Sequence, residues 1–237
     1  MAGIGGPNTV DTELLLCLDA ANKRSYPGSG TTWNDLSGFA NHGTLTNGPT
    51  FSGENVGSIV FDGVDDYTNV NSVLTSRPFT FSCWVYFNSL TGWQTMVGQD
   101  TSQSTLFGAY YFQKVQPEGT VGRTGNTVGL SLVNTSNQEI YCYDPQVVST
   151  ALWYNYVVSV STSDIILYKN GLQVNIINDS STLATPTGNM LVGGGYYNNT
   201  IGDFMNGRIA NVNIYIRTLS AIEVLQNFNA TRRRFGV

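Results

Sequence analysis

The sequence has little charge and a single histidine. Charged residues make up 11% of the 237 residues, well under the roughly one quarter that is usual in globular domains. The formal net charge is −5, which argues against broad nucleic-acid contact, because such contact needs a basic surface. A Ser-His-Asp or Cys-His catalytic arrangement would have to use His42, which lies in a Gly/Asn-rich loop. We expect His42 to be a surface residue.

Cysteine is also scarce, and no long apolar run is present. Cys17, Cys83 and Cys142 are odd in number and have no motif spacing, so we predict buried reduced thiols. The first residues lack the basic start and apolar run of a signal peptide, and no stretch reaches transmembrane length. We therefore expect synthesis in a cytoplasm and no membrane insertion.

Alternating residues predict β-strands along most of the chain. The stretch 79–87 places Phe, Phe, Cys, Val and Phe on one face and Thr, Ser, Trp and Tyr on the other. The first face is typical of a core. The second face suits either a ligand-facing sheet or a second packing layer. Trp84 and Trp153 lie mid-strand, so we expect both to be buried.

The last part of the chain combines a strand with a short helix. Over 205–217, Ala210, Val212, Ile214 and Ile216 share one predicted face, and Asn211, Asn213, Tyr215 and Arg217 share a solvent-facing one. Ser220 and Glu223 form a Ser-x-x-Glu capping box. Ile222, Leu225 and Phe228 follow at helical spacing, so we predict a short amphipathic helix that covers an open end of a sheet.

The turn signals favour a single sandwich domain. Asn170-Gly171 is a strong type I′ hairpin signal, and turns recur at the spacing of β-sandwiches. We predict an all-β antiparallel β-sandwich over 13–229. Residues 1–12 would be a flexible arm, either disordered or in extended contact with a neighbour.

Residues 230–237 are predicted to be a basic tail. The run Arg232, Arg233 and Arg234 is either a solvated tail or a docking arm for an acidic neighbouring subunit. On the second interpretation, removing the run would abolish assembly without unfolding the domain.

Two groups of side chains are candidate binding sites. Aromatic rings can stack on sugars, but they also pack at core edges or in subunit interfaces; the candidates are Trp93, Tyr110, Tyr111, Tyr196 and Tyr197. Asp62, Asp65 and Asp66 offer oxygen ligands to calcium, and Asp19 could join them. The alternative is a tight turn capped by Asx hydrogen bonds.

Several segments resemble a known family. They are Ser-Ile-Val-Phe-Asp-Gly-Val-Asp-Asp-Tyr (58–67), Phe-Thr-Phe-Ser-Cys-Trp-Val (79–85), Ile-Leu-Tyr-Lys-Asn-Gly (166–171) and Gly-Arg-Ile-Ala-Asn-Val-Asn-Ile-Tyr (207–215). In this order they resemble the laminin-G-like, concanavalin A-like jelly-roll domain. The resemblance implies an antiparallel β-sandwich jelly roll, ending in one short C-terminal helix. It also implies that calcium is an optional ligand and that no cofactor is required.

The opening and ending segments are similar to jelly-roll domains of tailed-bacteriophage structural proteins. This resemblance rests on Leu-Asp-Ala-Ala-Asn (18–22), Ser-Tyr-Pro-Gly-Ser-Gly-Thr-Thr-Trp (25–33) and Asn-Phe-Asn-Ala-Thr-Arg-Arg-Arg-Phe-Gly (227–236). It implies a virion surface protein, a decoration, cement or fibre component, made in the host cytoplasm and assembled with other virion subunits, often as a homo-oligomer. The alternative is a lectin-like receptor binder that recognises host glycans.

Catalysis is not expected. The hydrolases of this fold carry a Glu-x-Asp-x-x-Glu strand, because retaining cleavage needs two close carboxyl groups. The sequence has five glutamates, and none begins that pattern: Glu13, Glu54, Glu118, Glu139 and Glu223. The lyases of this fold use His and Tyr, and His42 lacks their Gln-x-His context. We therefore expect a binding protein.

Overall fold

The computed structural model describes residues 8–71, 74, 76–99, 110–119, 123–197 and 200–237. Within these residues the chain forms β-strands, one α-helix (α1, Ala221–Thr231) and two 3-10 turns, at Glu54–Val56 and Arg232–Arg234. The strands are β1 Leu14–Asp19, β2 Thr32–Trp33, β3 Gly43–Thr46, β4 Thr50–Ser52, β5 Ser58–Asp62, β6 Tyr67–Val70, β7 Phe79–Phe87, β8 Gln94–Gln99, β9 Tyr110–Lys114, β10 Val128–Val133, β11 Glu139–Tyr143, β12 Trp153–Val160, β13 Asp164–Lys169, β14 Leu172–Asn178, β15 Met190–Val192, β16 Gly195–Tyr197, β17 Thr200–Gly202 and β18 Asn206–Tyr215.

Two antiparallel sheets pack face to face. The first sheet has the order β14-β13-β12-β7-β18-β5-β4, and β1 pairs with the same edge of β18 as β5. The second sheet has the order β11-β10-β9-β8-β15-β6-β3-β2, and β16-β17 is a separate hairpin. The all-β antiparallel sandwich with one short C-terminal helix is therefore confirmed. No helix in the described ranges has the length and apolar character needed to cross a bilayer.

The main core lies between the two sheets. Strand β7 contributes Phe81 and Val85, and the second sheet contributes Phe112 and Leu130; all four are almost completely buried. Period-two alternation explains this, because every second side chain of a strand points to the same face. The three cysteines are free thiols, of which Cys83 and Cys142 are buried and Cys17 is half-buried.

The prediction that one side of β18 faces solvent is wrong. A register shift between Ile209 and Asn211 reverses the alternation, so Ala210 packs outside the main core while Ile209 packs inside it. Asn211, Asn213 and Tyr215 are at most 8% exposed. Helix α1 and the segments around it cover this face, so both sides of the strand are buried.

Helix α1 begins as predicted, but only part of its predicted apolar face is buried. The Ser220 side chain accepts a hydrogen bond from the Glu223 amide, and the Glu223 carboxylate accepts one from the Ser220 amide at 2.8 Å, which confirms the capping box. Phe228 of the predicted face is buried, and so is Val224, which was not predicted, whereas Ile222 is 80% exposed and Leu225 42%. The buried face is set by what the helix lies against, and apolar spacing alone did not identify it.

The residues after the helix belong to the domain. The predicted boundary at 229 falls inside α1, and Phe235 is buried. Its ring stacks on Trp84 at 4.0 Å and lies 4.7 Å from Trp153. These three rings, with Ala210 and Phe228, form what we call the C-terminal aromatic cluster. The second face of β7 is therefore a packing layer, and the burial of Trp84 and Trp153 is confirmed.

The three arginines near the end of the chain do not form one loose basic run. Arg234 binds Asp19 with its guanidinium at 3.1 Å and donates to the Gly57 carbonyl. Arg232 and Arg233 are exposed, in a 3-10 turn. The prediction of a basic tail separate from the domain is therefore wrong. The acidic cluster consists of residues 62, 65 and 66. Asp19 does not join it and is paired with Arg234 instead.

The described part of the predicted N-terminal arm is attached to the domain. The Val10 amide donates to the Asn227 side chain at 2.7 Å, and the Tyr215 hydroxyl donates to the Val10 carbonyl at 2.9 Å. The Gln226 amide donates to the Asn8 carbonyl. Residues 8–12 therefore lie along α1 and β18, while residues 1–7 of the predicted arm lie outside the described residues.

Candidate functional site

The predicted acidic turn connects the two sheets, because β5 belongs to the first sheet and β6 to the second. Ligand atoms of Asp62, Asp65 and Asp66 lie within 4.8 Å of one another. One Asp62 oxygen accepts from the Val64 amide at 2.8 Å, and one Asp66 oxygen accepts from the Asp62 amide at 3.1 Å. Burial raises the pKa of Asp66.

The turn is thus capped by Asx hydrogen bonds, and its donor set also consists of the oxygen atoms that calcium prefers. Calcium binding stays a prediction. A melting temperature that a chelator leaves unchanged would contradict it.

A cleft of about 490 Å³ lies next to this turn. The β7–β8 loop and the β17–β18 segment form most of its wall. Its lining residues are Gly63, Ser89, Thr91, Gly92, Trp93, Asp203, Phe204 and Asn206. The lining combines two aromatic rings with hydroxyl, amide and carboxylate groups, which is the composition of a small-ligand site.

The loop that carries Trp93 is held in place from behind by buried polar side chains. The Gln94 amide nitrogen donates to the Ser89 carbonyl at 2.8 Å and the Thr91 carbonyl at 3.1 Å. The Lys114 ammonium donates to the Leu90 carbonyl at 2.6 Å. The Lys114 side chain is buried, and this burial lowers the pKa of its ammonium group to about 8. The loop's backbone is therefore arranged before any ligand arrives.

The opposite wall is attached to the same buried glutamine. The Gln94 side-chain oxygen accepts from the Asn206 amide at 2.9 Å, and the Thr95 amide donates to the Asp203 carbonyl at 2.8 Å. Asp203 has φ +50°, a left-handed conformation that Asp adopts more readily than most residues. Gly63 has φ +79°, and a Cβ there would lie 2.7 Å from the Asn206 Cβ. Glycine thus permits the close approach of the acidic turn to the cleft.

Two lining side chains stand out by their surroundings. Trp93 is half-buried, and the Arg123 guanidinium lies over its ring, 5.3 Å from the centroid. Arg123 is itself paired with Glu139, so the ring has a fixed support. The Asp203 carboxylate accepts no hydrogen bond from the part of the chain that the structure describes, and burial raises its pKa. It is therefore an acceptor available to a ligand.

The predicted aromatic platform is mostly wrong. Tyr110 is fully buried in the main core, and its hydroxyl contacts the Ala184 carbonyl. Tyr111 is 4% exposed and donates to the Tyr196 carbonyl. Tyr196 is half-buried on the β16–β17 hairpin, and the Tyr197 side chain lies outside the described residues. Of the candidate rings, Trp93 lines the cleft.

Sequence reasoning missed Asp203 and Phe204. Both fall between two strands, where no periodic pattern marks a side chain as important. The available signal was local: an acidic and an aromatic residue follow Gly202 in the irregular segment before the longest predicted strand. That combination resembles a binding loop on a rigid scaffold.

A family model described as the concanavalin A-like lectin/glucanases superfamily, of the third laminin G type, matches residues 62–225. The match covers more than half of the chain, so the chain belongs to this family. No curated protein is similar enough in sequence to count as a relative.

Among the solved structures that are similar to the chain are one domain in complex with a sugar and two domains named as binding domains. Domain 4 of AbnA, a GH43 extracellular arabinanase from Geobacillus stearothermophilus, in complex with arabinotriose, is 15% identical with a TM-score of 0.71 and covers 92% of this chain and 98% of its own. The binding domain of Paraclostridial Mosquitocidal Protein 1 is 15% identical, has a TM-score of 0.69 and covers 93% of this chain. The binding domain of botulinum neurotoxin DC in complex with SialylT is 12% identical, with a TM-score of 0.67. This chain spans about half, 52%, of each toxin domain.

Proposed function

We propose that the protein is a carbohydrate-binding module whose ligand site is the cleft at Trp93. One observation carries the proposal: aromatic rings and polar side chains, among them the Asp203 carboxylate, line the same prearranged cleft. An aromatic face suits the apolar face of a sugar ring, and nearby acceptors and donors can read its hydroxyl groups.

We assign a proposed role to each part of the lining. Trp93 and Phe204 supply the apolar surface, while Asp203, Asn206, Ser89 and Thr91 supply the hydrogen-bonding groups. Because Gln94 and Lys114 already hold the loop, little conformational entropy is lost when a ligand binds. The proposal agrees with membership of a family that includes lectins, and with an arabinotriose-bound domain of the same fold.

The test is a glycan array followed by titration calorimetry on purified protein. The wild type is expected to bind oligosaccharides, and Trp93→Ala to lose roughly 10-fold in affinity, because a stacked ring contributes up to about 1.4 kcal/mol. The melting temperature should change little, since Trp93 is already half-exposed.

Phe39→Ala is the matched control. Phe39 is 58% exposed and does not line the cleft, so its removal takes an aromatic ring from the surface without touching the site. Equal binding by wild type and Trp93→Ala, or the absence of any bound glycan, would contradict the proposal.

The setting of this module is the second part of the proposal. We propose that it acts on the surface of a bacteriophage particle, as an oligomer among virion subunits, where repeated copies would raise the avidity of a weak sugar site. The support is the resemblance of the opening and ending segments to tailed-phage structural proteins. Mass spectrometry of purified particles tests it, and absence of the chain would refute it.

We further propose that the module binds sugars without cleaving them. His42 is engaged in its loop, where its Nδ1 accepts a hydrogen bond from the Asp35 amide at 3.1 Å. Release of new reducing ends from a bound polysaccharide would contradict this part of the proposal.

A further inference from the structure

Negative charge surrounds the cleft on two sides. Asp203 is part of its wall, and Gly63 places the acidic turn at its edge. Asn206 also lies in the wall, and its side-chain amide nitrogen donates to the Asp62 carbonyl at 3.0 Å. Asp62 and Asp65 are exposed residues of the same turn as Gly63, so the turn beside the cleft carries negative charge.

Positive charge near the cleft is already committed to other groups. None of the lining residues that the structure describes is Lys or Arg. Arg123 is paired with Glu139 and lies over the Trp93 ring. Lys114 donates to the Leu90 carbonyl behind the loop. Within the described residues, a ligand carboxylate, sulfate or phosphate would thus meet acidic groups and no free cation at the cleft.

The Asp203 carboxylate can act only as a hydrogen-bond acceptor while it is ionised. Sugar hydroxyl groups can donate to it, and hydrogen bonds to a charged acceptor are stronger than neutral ones. A uronic or sialic acid brings a second carboxylate, which would repel Asp203 at short range. The same side chain therefore favours a hydroxyl-rich ligand and disfavours an anionic one.

We infer that the cleft selects uncharged glycans over acidic ones and that Asp203 determines this selectivity. The inference rests on the proposed function, because it names the ligand class of the same site.

The experiment compares matched pairs of glycans, each a neutral oligosaccharide and its sialylated or uronic-acid counterpart, on wild type and Asp203→Asn. For the wild type, the neutral member should bind at least about tenfold more tightly, since like-charge contact costs more than 1.4 kcal/mol. The near-isosteric Asp203→Asn should narrow this ratio several-fold, because the amide removes the repulsion. Added salt should weaken the wild type's discrimination by screening the charges.

Asp11→Asn is the control with the same change in net charge. Asp11 is exposed and outside the cleft, so this variant should keep the wild-type ratio. Circular dichroism melting confirms that each variant is folded.

The possible results separate the two proposals. Wild-type binding of acidic glycans as tight as, or tighter than, that of neutral ones would overturn the inference and leave carbohydrate binding standing. An unchanged ratio in Asp203→Asn would overturn the role of Asp203. Binding of no glycan of either class would remove the proposed function, and the inference with it.

Discussion

Two aromatic regions lie outside the main core, and they differ in what covers them. In the C-terminal aromatic cluster, Trp84 is 1% exposed because Phe235 and Phe228 stack over it. In the cleft, Trp93 is half-buried and has polar groups as neighbours. Residues 228 and 235 close the first region, whereas no segment of the described residues closes the second.

The comparison shows that a ring's chemistry does not decide its role. Trp93 has the Arg123 guanidinium over its ring, and Trp84 stacks on Phe235, whose ring has the Arg234 guanidinium over it. Trp84 donates its indole N–H to the Thr231 hydroxyl at 2.9 Å, so its polar atom is satisfied within the fold. On our proposal, the presence or absence of a covering segment separates a structural ring from a ligand-facing one.

The largest expected effect lies in the closed region. Phe235→Ala should lower the free energy of unfolding by about 3 kcal/mol, because it removes the ring that stacks on Trp84 and contacts Trp153. The glycan affinity of the folded Phe235→Ala protein should equal that of the wild type. Urea denaturation and calorimetry measure the two properties on the same sample.

Arg233→Ala is the control for that variant, because Arg233 is exposed and lies two residues away. It should leave stability within about 0.5 kcal/mol of the wild type. A stable Phe235→Ala protein would show that the last residues are a dispensable tail after all.

A smaller effect concerns how the covering helix is attached. Hydrogen bonds from Arg217, at 2.7 Å and 3.1 Å, lower the pKa of Glu223 to about 2. Because the folded-state pKa lies below the ordinary value of 4.5, the ionised group stabilises the protein above that pH. This contribution is lost as the pH falls towards 2.

Glu223→Gln isolates the charge, since glutamine keeps the capping box. The wild type should be more stable than the variant at pH 7 by at most about 1 kcal/mol, because the pair is partly exposed. The difference should shrink between about pH 5 and pH 2. A difference that is constant with pH, measured by thermal unfolding, would contradict the assignment.

Local patterns predicted much of the fold. The alternation of β7 and the Asn170-Gly171 turn, in which both residues have positive φ, depend on residues that are adjacent in sequence. The position of Ala210 could not be predicted this way, because the bulge between Ile209 and Asn211 depends on pairing with β7. The buried face of α1 likewise depends on the residues it packs against, such as Tyr215.

The cleft was predicted only in part, for the same reason. Trp93 could be suspected because it is an aromatic residue in a polar, irregular stretch. Asp203 and Phe204 reach the cleft through hydrogen bonds that join Gln94, Thr95 and the β17–β18 segment, which are more than 100 residues apart in sequence. No short window contains that information.

The most direct test of the contrast between the C-terminal aromatic cluster and the cleft uses the four tryptophans of the chain. Their indole N–H groups give separate signals in a ¹⁵N-edited NMR spectrum, and a neutral oligosaccharide identified on the array is titrated in. The account predicts that the Trp93 signal shifts on binding while those of Trp33, Trp84 and Trp153 stay in place. A saturating ligand that leaves Trp93 unmoved, or that moves Trp84 instead, would contradict it.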